Sequence, residues 1–380
     1  MFNRIYIKNF KCFDDIVLPL SPLTLLTGVN AGGKSTTLQA PLLLAQKLRW
    51  AHESKRVALN GPLTQLGTVS EIFHGDSRTL DIGVGLDDYS LIWKLGAGHR
   101  NSSTALEVLD ITPQAKDHNQ ERLNHFSNKE NKIFKNLLNS IKNIIFIGAA
   151  RGALKSTFPS PEDVDPIHAD VGPMGEYAPW WLAQFLDEDV DLERRHPQEE
   201  GTTLRRQVGA WAGELFPGAE VNAGFLDQTG LVRLEMRRST TEPWKRPANI
   251  GYGLSYALPI IIAGLLAKPG QVLIVDSPEA HLHPRAQSNI AKFFATIASS
   301  GVHVILETHS DHVLNGTRIS VKGGERLKSN QVSIHFFTGS KDDFPQIIST
   351  EIDEEGGVSN WPSGFFDQSE KDLATLAGLI

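Results

Sequence analysis

The chain carries a single cysteine, Cys12, in 380 residues, so no intramolecular disulfide can form and a small stapled scaffold is excluded. Long apolar runs are also missing. The longest, Tyr256 to Ala267, is interrupted by Pro259 and Gly264 and is about half of what a bilayer requires, so no membrane span is expected. At the N-terminus, MFNRIYIKNFKCF alternates polar and apolar residues where a signal peptide has a continuous apolar stretch. The expected compartment is therefore cytoplasmic. Excess positive charge is absent too: 37 Lys+Arg against 44 Asp+Glu give a net charge of -7. That balance excludes a surface coated for indiscriminate nucleic-acid binding, while a local basic groove stays open. No heptad pattern is sustained, which excludes long coiled-coil arms. What remains is globular material. With 40% hydrophobic and 21% charged residues, the chain can build one large α/β domain with insertions, or two to three smaller units.

The first informative segment lies near the start. Arg4 to Ile7 and Ile16 to Leu18 read as short strands, and Leu23 to Leu26 as a third, bounded by Pro22 and Gly28. Gly28-Val29-Asn30-Ala31-Gly32-Gly33-Lys34-Ser35 then matches G-x-x-x-x-G-K-[ST] and opens a helical run from Thr36 to Trp50. Glycines permit positive φ and close backbone approach, so successive N–H groups can turn inward on a β-phosphate at a helix N-terminus. The spacing assigns Lys34 to the β- and γ-phosphates and Ser35 to a magnesium ion. Asn30 and Ala31 fall on the rim of the loop, and Gly32, Gly33 and Thr36 complete the phosphate-binding set.

A second cluster follows far along the chain. Gln271 to Asp276 is an apolar strand ending in a carboxylate, the form of a Walker B segment that holds Mg²⁺ through Asp276. After Ser277-Pro278-Glu279-Ala280-His281-Leu282-His283, Pro284 suits a first helical position, and a helix to Ser299 is predicted. His303 to Glu307 is another buried strand, ending in Thr308-His309-Ser310-Asp311. Apolar strands separated by a helix, each ending in polar residues, predict a parallel sheet with a phosphate site at its carboxyl edge.

The combination GVNAGGKST, NIGYGLSYALPI, LIVDSPEAHLHPRAQ and ETHSDHVLN resembles the ABC-type ATPases of the OLD (overcoming lysogenization defect) family and its relatives, over roughly residues 1 to 95 and 245 to 320. The resemblance implies an α/β fold: an ABC-type P-loop NTPase core with a mixed, largely parallel sheet, an antiparallel β subdomain, and a helical and loop-rich insertion. It also implies ATP and Mg²⁺ as cofactors and a homodimer or higher homo-oligomer. Gly251, Gly253 and Ser255 would form the signature loop that reaches the γ-phosphate of the partner's ATP, and His309 would be the switch histidine contacting that phosphate from its own subunit. In this family the residue after the Walker B aspartate is usually the glutamate that polarises water, and here it is Ser277. Glu279, after Pro278, is the best carboxylate left for that task. The implied catalytic set is Lys34, Glu279 and His309, with slow or assembly-dependent turnover. The tail, Ile352 to Gly356 and Trp361 to Asp367, is similar to a short C-terminal module of a bacterial subgroup. OLD nucleases continue into a metal-dependent Toprim domain, and the tail lacks that domain's spaced carboxylates. An effector on a separate polypeptide, in bacterial anti-phage defence, is the resulting expectation, by family analogy alone.

Four segments are expected: 1–112 with the phosphate loop and a meander at Thr79 to Gly85, Ser90 to Leu95 and Thr104 to Ile111; 113–244, with a polar stretch to Asn131, a helix from Lys132 to Lys142 and a proline-rich part, 155–200, with two helices; 245–325; and a β module, 326–380, with strands Val332 to Phe337 and Gln346 to Ile352. Several residues carry two readings. Gln65, in the Gly61 to Gly67 loop, and Gln39, on the first helix, compete as a magnesium-contacting glutamine. His281 and His283 have a metal-ligand spacing, with His309 and His312 nearby in sequence, but belong more simply to a subunit-contacting loop. Asp311 either positions His309 or caps a helix. Arg151, after the apolar strand Asn143 to Gly148, either reaches phosphate or anchors a loop through carbonyls. Trp180 and Trp181 form an apolar helix face or stack on bases. Arg194-Arg195, Arg205-Arg206, Arg237-Arg238 and Lys245-Arg246 either follow a nucleic-acid backbone or form solvated surface. Two other functions compete: a regulatory scaffold that binds ATP with little turnover and sequesters or recruits an effector nuclease or toxin, and a nuclease using Asp353-Glu354-Glu355.

Overall fold

The computed structural model describes residues 1–51, 53–98, 103–115, 128–152, 155–163, 165–324, 326–339 and 345–379. The first half of the chain runs β1 (Arg4–Phe10), β2 (Phe13–Pro19), β3 (Leu23–Gly28), α1 (Lys34–Trp50), β4 (Arg56–Ala58), β5 (Thr79–Leu86), β6 (Tyr89–Ala97), β7 (Ala105–Ala115), α2 (Asn128–Lys142), β8 (Ile145–Ile147), β9 (Thr157–Pro159) and α3 (Ala178–Phe185). The second continues with α4 (Leu204–Leu215), β10 (Glu220–Leu226), β11 (Leu231–Arg237), α5 (Tyr252–Leu266), β12 (Val272–Asp276), α6 (Pro284–Ser299), β13 (His303–Glu307), α7 (Asp311–Lys322), β14 (Val332–Phe337), β15 (Ile347–Thr350) and α8 (Gln368–Leu376).

The described residues form three sheets. The central one has the order β15-β14-β3-β13-β12-β8, parallel throughout except for β15. Its strands are apolar on both faces because both are covered. Along β12, Leu273 and Val275 face a layer built from α3 to α6, while Val272 and Ile274 face the layer that contains α1, α2 and the second sheet. That second sheet is antiparallel, in the order β2-β1-β5-β6-β7-β4, and a three-stranded sheet β10-β11-β9 covers α3 and α4. α5 is apolar nearly all round and buried accordingly. Gly264 allows its approach to α6, since a Cβ there would meet the Phe293 ring at 2.6 Å.

Two walls hold the phosphate loop from opposite sides. Gly28, at φ 129°, leaves no room for a side chain: a Cβ would lie 2.1 Å from the Phe337 carbonyl oxygen of β14. Gly33, at φ 100°, packs against the Phe13 ring and Cys12 Sγ of the β1–β2 hairpin, 2.4 and 3.0 Å from where a Cβ would be. The C-terminal module grips α7: Phe365 is fully buried beside Phe336, and Arg318 donates to the Gly356 carbonyl and lies over Trp361.

The sequence reading and the structure part in a few places. The predicted first two strands join the antiparallel sheet, so the three-stranded meander becomes part of a six-stranded layer. The central sheet takes β8 from the segment read as an insertion and β14 and β15 from the segment read as a separate β module. Among its described residues the proline-rich stretch 155–200 holds one α-helix, α3, which has a proline in its first turn as α6 has Pro284, and a 3₁₀ turn at Leu192–Arg194. Much of the polar stretch, 116–127, lies outside the described residues.

Backbone fit at Gly28 should be measurable. Gly28→Ala should lower unfolding stability by more than ~2 kcal/mol, from positive φ and the clash with β14. Gly209→Ala, in α4 with no atom within 4 Å of the added carbon, should raise it by ~0.5–1 kcal/mol through helix propensity. Urea titration of both variants checks the pair.

Candidate nucleotide-binding site

β3, β13 and β12 lie side by side, so their carboxyl ends deliver the phosphate loop, the Thr308–His309 turn and Asp276 to one edge. Asn30 and Ala31 are exposed at the rim, Ala31 at φ 62°, while Gly32 and Gly33 are buried beneath. Thr36 is half-buried and bonds to Cys12. The Lys34 ammonium lies back across the loop, donating to the Val29 carbonyl at 2.7 Å and the Gly28 carbonyl at 3.1 Å. Burial pulls its pKa down, while Glu307 and Asp276 oppose that shift. Ser35 Oγ donates to Glu307 Oε1 at 2.9 Å.

Glu307 is the residue that sequence reasoning missed. It ends β13 in direct register with Asp276 on β12, is 5% exposed, and leaves Oε2 without a hydrogen-bond partner among the described residues. Burial and then the neighbouring Asp276 push its carboxyl up to about 7, against the Ser35 hydrogen bond and Lys34. A carboxylate closing an otherwise apolar strand, beside a second strand that does the same, was the available signal.

Glu279 meets the switch loop. Its two oxygens accept from Thr308 Oγ1 and the His309 N–H, both at 2.8 Å. His309 itself is exposed, its pKa lowered by partial desolvation and then by the Lys34 ammonium. The helix after it is capped by Ser310, which accepts from the Val313 N–H; Asp311 lies in the first turn, near His312. Ser277 adopts φ 51° and donates to Asp276 Oδ1 at 2.9 Å. A left-handed non-glycine residue costs ~1–2 kcal/mol, and its surroundings hold it there: Arg151 Nη2 donates to the Asp276 and Ser277 carbonyls at 2.6 and 3.1 Å. Arg151 is thus a loop anchor, its pKa brought down to about 10 by burial.

The signature segment starts α5. Gly251, at φ 114°, is the exposed N-cap residue of α5 and has no side chain with which to cap the first N–H groups. Gly253 lets the Phe216 ring and the His281 carbonyl approach to 2.8 and 2.9 Å of a would-be Cβ. Ser255 is buried, its hydroxyl donating to the Gly251 carbonyl at 3.3 Å, so it braces the loop within its own chain.

The residues with two readings make the following contacts within the chain. His281 stacks on Tyr252 and meets Tyr256 edge-on, and His283 caps α6 by accepting from the Arg285 N–H. Gln39 accepts from Lys11 and Gln65 donates to the Gly61 carbonyl; Gln46, unnoticed in the sequence, holds that loop through the Leu63 and Thr64 N–H groups. Trp181 is core, donating to the Asp170 carbonyl and stacking on Phe185. Arg194 is buried, and Arg205, Arg206, Arg237 and Lys245 face Asp187, Glu199, Glu220 and Glu242.

The donor set fits a hard, oxygen-preferring cation: a serine hydroxyl, Asp276, and a buried carboxylate with one unsatisfied oxygen. Magnesium is commonly held by one or two carboxylates together with phosphate oxygens, without an all-protein cage.

Residues 23–315 match the family described as "AAA domain, putative AbiEii toxin, Type IV TA system", and residues 327–376 match one described as "Protein of unknown function (DUF3696)". The OLD nuclease of Thermus scotoductus is 23% identical over 330 residues, 82% of this chain and 59% of that protein, so the chain spans less than two thirds of this relative. The energy-coupling factor transporter ATP-binding protein EcfA2 of Lactococcus lactis is 37% identical over 78 residues, 20% of this chain and 26% of that protein. Among solved structures, the Smc head domain with an extended coiled coil bound to the C-terminal domain of ScpA, from Pyrococcus furiosus, superposes with a TM-score of 0.54 at 13% identity, covering 99% of each chain. That likeness is one of fold, the SMC-head form of the ABC-type P-loop ATPase. No helix among the described residues is long and apolar enough to cross a membrane.

The Glu279 clamp should be detectable. Glu279→Ala should cost ~1.5–3 kcal/mol, the worth of hydrogen bonds to a charged acceptor, and speed amide exchange at His309. An unchanged exchange rate there would refute the clamp.

Proposed function

The chain belongs to the AAA-domain family matched over residues 23–315, and from that membership we propose that it binds Mg-ATP and hydrolyses it slowly, as a subunit of a nucleotide-gated homodimer. One observation carries this: Lys34, Ser35, Asp276 and His309 arrive from three adjacent strands at one sheet edge. Lys34 would neutralise the β- and γ-phosphates, and Ser35 and Asp276 would hold the magnesium ion, which supplies positive charge where the transferred phosphoryl group becomes more negative. His309 would face the γ-phosphate from its own subunit, oriented by Glu279. The uncapped N-terminus of α5, with Gly251 and Tyr252 exposed, has orphan amide donors suited to an anion brought by a second copy. Gly253 and Ser255 would keep that end in shape.

The setting we propose is a bacterial multi-protein system in the cytoplasm, anti-phage defence in kind, with a separately encoded effector. The likeness to the OLD nuclease of Thermus scotoductus supports it. A second reading, a regulatory clamp with negligible turnover, is favoured by Ser277 where a water-polarising glutamate is usual and by the full engagement of both Glu279 oxygens. Steady-state phosphate release by the purified chain, alone and with its genomic neighbours, separates the two: turnover in either condition supports the ATPase and none in both supports the clamp.

Lys34→Ala should weaken ATP binding ~100-fold or more, about 2.8 kcal/mol, by calorimetry. Tyr252→Glu should spare binding to the isolated subunit and abolish ATP-dependent dimerisation in light scattering, because it sets a carboxylate against the incoming phosphate. If both variants lose binding equally, the shared-site arrangement is wrong.

A further inference from the structure

We propose that Glu307 is a metal-side carboxylate of this site, holding the magnesium ion together with Asp276 and Ser35, and that Glu279 is a positioning residue for the switch loop. This rests on the Mg-ATP reading above and adds a residue to it.

Three observations converge. Asp276 and Glu307 are paired residues of adjacent parallel strands, so their side chains leave the sheet on the same side, about 5 Å apart at the backbone. Ser35 Oγ, the hydroxyl expected to meet the metal, is bonded to Glu307 Oε1. The other oxygen, Oε2, is buried with no partner among the described residues. Lys34 acts on it through space only, its ammonium being directed to the Gly28 and Val29 carbonyls. Two carboxyl groups placed together with an oxygen left unsatisfied are costly, and a divalent cation between them removes both the repulsion and the desolvation cost. Of the other candidates, Ser277 carries no charge, and Glu279 has each oxygen occupied by the Thr308–His309 turn. On metal entry the Ser35 hydroxyl would leave Glu307 and turn to the cation, freeing both Glu307 oxygens for the same ion. A purely structural role, accepting from Ser35, would be filled as well by a neutral amide.

That difference sets the test. The melting temperature of the full chain is followed at fixed non-hydrolysable ATP analogue while Mg²⁺ is titrated, for the unmodified protein, Glu307→Gln and Glu279→Gln. Glu307→Gln should need at least tenfold more Mg²⁺ for half of the nucleotide-dependent shift. Its analogue binding in EDTA and its nucleotide-free melting temperature should match or exceed those of the unmodified protein, and Glu279→Gln should keep the original Mg²⁺ midpoint. An unchanged midpoint in Glu307→Gln overturns this inference alone, as does loss of analogue binding in EDTA, which would make Glu307 a structural support of the phosphate loop. Absence of any nucleotide-dependent shift in the unmodified chain overturns the nucleotide reading itself and this one with it. Should Glu307→Gln not fold, Glu307→Asp keeps the charge one methylene further back and carries the same titration: a raised midpoint supports the proposal and an unchanged one overturns it.

Discussion

Burial of β3, β13 and β12 on both faces is the constraint on which the rest depends. A strand with an apolar layer above and below it can carry charged groups only at its ends, and a polar residue within it, such as Thr24 of β3, must be hydrogen-bonded, here to the Ser21 carbonyl. Gly28, Glu307 and Asp276 are those ends, and because the three strands are neighbours their polar ends meet. The site is thus a by-product of how the core is sealed. Its charges gather at the carboxyl edge of these strands.

Local chemistry made part of this legible from sequence. Gly28 to Ser35 specifies its own geometry, since positive φ at Gly28 and Gly33 is a property of the residue type. Pro284 and the apolar run from Val272 set the bounds of α6 and β12 to within a residue. Long-range pairing was less legible. β1 reads as a strand from its alternation, but nothing in Arg4 to Phe10 says that its partners are β2 and β5. β8 lies within the apolar strand read at Asn143 to Gly148, but nothing in its three residues says that it pairs with β12. Glu307 escaped for a related reason: its meaning lies in Asp276 on the next strand and Ser35 across the loop, neither near it in sequence.

Capping shows the same limit on a smaller scale. Asp311 and Ser310 are both good N-cap residues, and only the backbone decides: Ser310 has the extended conformation, and its hydroxyl reaches the Val313 N–H. Ser277 and His281 illustrate the opposite case, in which the backbone departs from what its residues prefer. Both occur in the turn after β12, where Arg151, Tyr252 and Tyr256 hold the chain in place.

The contact between Gly28 and Phe337 couples the start of the chain to its last fifth. A ribosome making this protein releases the glycine-rich loop long before the strand that supports it. At ~5–20 residues per second, the interval is on the order of tens of seconds. For most of that time β3 has neither of its sheet neighbours, β13 nor β14, and its apolar faces must be sheltered by the earlier elements of the chain or by a chaperone. The nascent polypeptide therefore acquires its phosphate cradle late, and a message truncated before β14 should yield a product that is sticky and inert.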